Sequence, residues 1–195
     1  DRSSAASDVY KRQLKKLSVK RKREKTHVAS PVITRSAPSI VARGTRITSS
    51  AVSVSSVYPG IDRVKKYEFT HRDVPDAFDG FRIAFISDLH YKSLFKEKGL
   101  ESLVRLLNAQ HADVLLMGGD YQEGCQYVPE LFAALAKVKT PMGTYGVMGN
   151  NDYERCHDEI IREMQRYGMR PLEHQIDTLR RDGAQIILAG VRNPF

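Results

Sequence analysis

Three short polar clusters in this chain have the residue types for metal chemistry. Asp88 and His90 stand in SDLH, Asp120 in GGDYQEG, and Asn150, Asn151 and Asp152 in GNND. Two carboxylates, an imidazole and an amide oxygen suit hard or borderline divalent cations. Each cluster alone has an ordinary reading. D-x-H recurs by chance, Gly-Gly-Asp is a common turn, and Asn-Asn-Asp suits a helix start, whose first turn favours an acid such as Asp152. Together they share a context, because each follows an apolar run and helix-length segments separate them. Gly118, Gly119 and Gly149 let the backbone turn sharply and approach a metal or phosphate closely.

The elements that must position these clusters follow from apolar spacing. FRIAFIS (81–87) reads as a strand buried on both faces, and DVLLMGG (113–119) and TYGVMG (144–149) as two more. KGLESLVRLLNAQ (98–110) sets Leu100, Leu103, Val104, Leu106 and Leu107 on one side of a helix. VPELFAALAKV (128–138) is a second helix, with Pro129 tolerated in its first turn, and ERCHDEIIREMQRYG (154–168) a third, ended by Gly168. EHQIDTLRRDGAQIILAGV (173–191) predicts two strands joined at Asp182-Gly183. A further strand is expected at 64–70. The order is that of an α/β fold, a mixed or mainly parallel sheet with helices on its faces. Ligand sites in such sheets lie beyond the carboxyl ends of the strands, so the three clusters converge there.

Charge divides the chain. Residues 1–60 carry a net charge of +10 and residues 61–195 a net of −2, which make the overall +8. LKKLSVKRKREKT (14–26) is a basic run whose ordinary reading is a solvated tail or the flank of a membrane segment; attraction to an anionic membrane surface or to nucleic acid is its functional alternative. Residues 28–57 read as a linker with short extended pieces, so 14–57 is expected to be a basic tail and disordered linker and 58–195 the folded domain. Residues 1–13 include SSAASDVYKRQ, which reads like a translated sequencing adapter and is set aside. The first methionine is Met117, and AGVRNPF stops just past a strand-like run, so a truncated domain is expected. No apolar run approaches the ~20 residues of a membrane span. Cys125 and Cys156 are too few for a disulfide framework and are read as buried or inert thiols.

The motifs DLH, GGD and GNND resemble the D-x-H, G-D and G-N-H-D/E motifs of calcineurin-like metallophosphoesterases, and YEFTHRDVPDAFDGFRIAFISDLH is most similar to their small bacterial, often membrane-associated branch. The resemblance spans about Tyr58 to Phe195. It implies an α/β fold of β-sandwich type flanked by helices, with half to two-thirds of the domain present. It implies two divalent metal ions (Mn, Fe, Zn or similar), with Asp88 and His90 on the first, Asp120 bridging both and Asn150 on the second. Asn151 and Asp152 carry over as catalytic positions, although the family has histidine where this chain has Asn151. The family's later histidines, including a G-H-x-H, have no counterpart here. Of His27, His71, His90, His111, His157 and His174 only His90 sits in a motif, and His111, His157 and His174 are read as surface or satisfied. This chain alone is therefore expected to hydrolyse phosphoesters little or not at all.

The reaction implied is hydrolysis of a phosphomonoester, phosphodiester or pyrophosphate, with two ions about 3.5–4 Å apart activating water for in-line attack. Expected substrates are phosphorylated small molecules or lipid-linked phosphates. A nuclease of the same family is the rival enzyme, but the near-neutral balance of residues 61–195 disfavours nucleic acid as a partner. A rival of another class is a metal-binding or interaction module weakened by loss of the histidine acid. Glu123 and Tyr121 are assigned no role, since a tyrosine there more often packs than catalyses.

Overall fold

The computed structural model describes residues 35–36, 45–93 and 95–192. The basic run at 14–26 and the adapter-like start lie outside these residues. Three sheets form. β1 (Arg35–Ser36), β2 (Arg46–Ser53) and β3 (Arg63–Thr70) make an antiparallel sheet in chain order. β2 and β3 pair without slip from Arg46↔Thr70 to Ser53↔Arg63. Within the linker expected over 28–57, where the sequence predicts only short extended pieces, residues 46–53 are an eight-residue paired strand. RITSSAVS is rich in the β-branched residues that suit strands, but it lacks the polar alternation that announces one, and its partner lies beyond a turn.

The central sheet is parallel throughout, in the order β4 (Ile83–Ile86), β5 (Val114–Met117), β6 (Thr144–Gly146) and β7 (Arg170–Pro171). The crossovers carry α1 (Glu97–Ala109), α2 (Val128–Leu135), α3 (Asn150–Arg155) and α4 (His157–Arg166). Leu100, Leu103, Val104 and Leu107 of α1 are buried with Leu131, Phe132 and Leu135 of α2, Ile160 and Met164 of α4, and the sheet residues Ile86, Leu115 and Met117. Burying each such side chain stabilises by roughly 1.5–3 kcal/mol. On the opposite face Val114 and Tyr145 pack with Phe78, Leu172 and Leu179. The last two strands, β8 (Gln175–Arg181) and β9 (Ala184–Gly190), form the expected hairpin. Its turn residues Asp182 and Gly183 both have positive φ, as a two-residue turn of the type matching strand twist requires.

The architecture is thus mixed α/β, a parallel sheet with helices and a separate hairpin. Two details depart from expectation. β4 is not buried on both faces, because Ile83 and Phe85 are 57% and 65% exposed; an apolar run does not say which of its faces is covered. The third helix is two helices, broken at Cys156, whose φ of −132° and ψ of 20° leave the helical region. Cys156 is joined to Cys125 by a disulfide, which overturns the reading of both as thiols; pairing across 31 residues becomes visible only when the fold brings the two Cα atoms to 5.4 Å. Among the described residues no helix is long and apolar enough to cross a membrane.

A cross-link closing a loop of this length stabilises by about 2–4 kcal/mol. Replacing Cys125 and Cys156 together by serine should lower the unfolding free energy measured by urea denaturation by that amount, and the unreduced, denatured chain should titrate no free thiol. Two reactive thiols would contradict the pairing.

Candidate metal centre

The chain leaves β4 and β5 side by side, and the loops that follow stay paired. The Gly118 N–H donates to Ile86 O at 2.8 Å, Asp88 to Gly119 O at 3.0 Å, His90 to Asp120 O at 3.1 Å, Tyr91 to Tyr121 O at 3.0 Å, and Glu123 back to Tyr91 O at 3.1 Å. This short parallel ladder, with a bridge between Tyr91 and Gln122, carries the strand register past the strand ends. Within it Asp88, His90 and Asp120 adopt φ of 56°, 42° and 55°. Left-handed backbone at non-glycine residues costs of order 1–3 kcal/mol each and recurs where a site demands it.

The result is a compact ligand group. One donor atom each from Asp88, His90 and Asp120 lies within 4.8 Å of the others, with Asp88 exposed and the other two half-buried. Two carboxylates and an imidazole at this spacing fit a divalent cation. Burial pushes the Asp120 carboxyl above its ordinary range, the Asn151 N–H at 3.1 Å opposes that, and the Asp88 carboxylate adds to it. The Ser87 hydroxyl donates to Asp88.

The third cluster reaches the same place through α3. Gly149 precedes it, and a Cβ there would fall 2.1 Å from Asp120 Oδ1; a Cβ on Gly119 would fall 2.2 Å from Gly149 N. Only glycines let the two loops touch. Asn150 opens α3 and is exposed, between Gly149 and Asn151, which both meet Asp120. Asn151 uses its side-chain amide to donate to Gln122 O at 2.6 Å. Asp152 is fully buried. Its Oδ2 accepts from the N–H groups of Asp120 at 2.7 Å and Gly149 at 2.9 Å, and its Oδ1 from Tyr121 at 3.1 Å. Burial pushes its carboxyl up to about 6 against the pull of these donors. Asp152, expected at a catalytic position, is placed where its oxygens meet backbone donors and no solvent.

With the geometry in hand, a profile of the calcineurin-like phosphoesterase family matches residues 81–188, more than half of the chain. The chain belongs to the calcineurin-like phosphoesterase family. This is a family of phosphoester hydrolases that typically bind divalent metals. An uncharacterized metallophosphoesterase of Aquifex aeolicus is 26% identical over 111 residues, 56% of this chain and 42% of that protein. The uncharacterized metallophosphoesterase YkuE of Bacillus subtilis is 28% identical over 83 residues, 41% of this chain and 29% of that protein. A transmembrane protein with metallophosphoesterase domain from Danio rerio is 28% identical over 94 residues, 47% of this chain and 21% of that protein. The chain thus spans less than half the length of these calcineurin-like relatives.

Against the family's motifs, Asp88, His90 and Asp120 are brought together. Tyr121 packs, its phenol buried and donating to Val147 O at 2.7 Å. His157 lies outside the group and is satisfied by Asp158 at 2.8 Å and Glu173 at 3.0 Å. Sequence reasoning gave Glu123 no role, yet its Oε1 lies 2.5 Å from His90 Nδ1. The signal for it was the register of the two loops, in which residues 122 and 91 are opposite.

Removing the Asp152 carboxylate strands three N–H groups, that of buried Tyr121 and those of half-buried Asp120 and Gly149, at roughly 1–3 kcal/mol each. Asp152→Ala should therefore lower stability by about 3 kcal/mol or more in urea denaturation. An unchanged midpoint would show that these loops are held by other means.

Proposed function

We propose that this protein is a metal-dependent phosphoester hydrolase whose centre is built on Asp88, His90, Asp120 and Asn150. The observation that carries the reading is the convergence of Asp88, His90 and Asp120 within 4.8 Å, beyond the carboxyl ends of two adjacent parallel strands. When bound, a pair of divalent ions would supply Lewis acidity toward phosphate oxygens and a more acidic water. Asp120 is central because the other loops meet on it, Asp88 and His90 from one side and Gly149 to Asn151 from the other. Asp152 positions Asp120 by holding its backbone N–H and does not touch substrate. The substrate class is a phosphorylated small molecule or a lipid-linked phosphate or pyrophosphate, and the net charge of −2 over residues 61–195 disfavours nucleic acid.

Asn151 decides how the leaving oxygen is treated. Its amide donates hydrogen bonds but transfers no proton. One N–H is already spent on Gln122 O, leaving the other for the leaving group. That same bond favours a second reading, in which Asn151 is a clamp between loops and the protein is a weakened metal-binding module.

The two readings separate by leaving group, assayed with Mn(II) on the purified protein. Positioned proton transfer is worth ~10²–10⁴ in rate, and acidic leaving groups need it least. Asn151→His should speed alkyl phosphoester hydrolysis by at least about tenfold more than p-nitrophenyl ester or pyrophosphate hydrolysis. Equal effects on both classes, or losses on both with metal retained, would support the clamp. No metal-dependent hydrolysis of either class would support the module.

A further inference from the structure

We propose that Glu123 is a positioning residue for His90, fixing the ring and its tautomer so that Nε2 faces a divalent cation; this rests on the metal-centre reading above. His90 Nδ1 and Glu123 Oε1 are 2.5 Å apart, with the side chains 25% and 31% exposed. A carboxylate only accepts, so the pairing keeps the proton on Nδ1 and leaves the Nε2 lone pair to a metal. Among the described residues Nε2 carries no hydrogen bond. Carboxylates in this relation to a metal-binding histidine orient the ring and raise its basicity.

The loop that bears Glu123 is fixed on every side. The Glu123 N–H donates to Tyr91 O, one residue past His90, at 3.1 Å. Just before it, Gln122 is fully buried and its carbonyl receives the Asn151 amide. The Gly124 N–H folds back onto Gln122 Oε1. Just after it, Cys125 is bonded to Cys156 at the end of α3. A freely moving surface acid would need none of these restraints. They make the carboxylate a fixed feature of the site and explain why the third loop, which supplies Asn150, is tied to the segment that steadies His90.

The test compares wild type with Glu123→Leu, which removes the acceptor, and Glu123→Gln, whose amide oxygen still accepts from Nδ1–H. Long-range proton–nitrogen NMR on the metal-free chain reads the His90 tautomer. Mn(II) titration followed by EPR reads affinity, and circular dichroism checks folding. Wild type and Glu123→Gln should both show the Nδ1–H form, and Glu123→Leu should shift toward Nε2–H. Mn(II) affinity should fall about 10–100-fold in Glu123→Leu and only a few-fold in Glu123→Gln. A folded Glu123→Leu with an unchanged tautomer would overturn the pairing, and a shifted tautomer with unchanged Mn(II) affinity would overturn the positioning role. Equal large losses in both variants would make Glu123 a ligand itself and also overturn the proposal. If wild type bound no Mn(II) while the tautomer still responded, the fault would lie with the metal centre, since the tautomer readout needs no metal.

Discussion

The carboxylate of Asp152 accepts from three backbone N–H groups that belong to two loops, Gly149 on one and Asp120 and Tyr121 on the other. Everything at the candidate centre hangs on that grip. It sets the loop after β5 against the start of α3, with Gly119 and Gly149 in direct contact. The loop after β5 is in turn zipped to the loop after β4 by backbone hydrogen bonds. Each loop therefore takes its position from its neighbour, and the ligand group inherits the register of the parallel sheet.

This arrangement is costly. Asp88, His90 and Asp120 all hold left-handed backbone, and Asp88 and Asp120 bring like charges together. A sequence selected for stability alone would place glycine or asparagine at such φ values. The costs are offset by the helix-packed core beneath the sheet, by the disulfide between the second loop and the end of α3, and by the fully occupied Asp152. A divalent cation would relieve the carboxylate repulsion, so the group is more comfortable loaded than empty.

Much of this was legible in the sequence, because apolar runs ending in Gly and Asp mark strands that stop at a site. The clusters at Asp88, Asp120 and Asn150 were readable for that reason, and so was the hairpin, whose Asp182-Gly183 turn is a purely local signal. Features that depend on a partner were not. β2 is a strand because β3 lies beside it. Cys125 and Cys156 pair because α3 ends over the second loop. Ile83 and Phe85 look like core in an apolar run, yet the face they occupy is open. Asp152 had two local readings, helix start and catalytic position; its carboxylate bonds the N–H preceding α3 as well as two of the neighbouring loop, a link between loops that neither reading contained. Glu123 was silent because its meaning lies in cross-strand register.

The central claim is that Asp88, His90 and Asp120 form a metal centre, and its most direct test is anomalous diffraction from Mn(II)-soaked crystals. The account predicts an anomalous peak in contact with all three side chains and a second across Asp120 in contact with Asn150. No anomalous density at Asp120, with Mn(II) bound elsewhere or not at all, would contradict it.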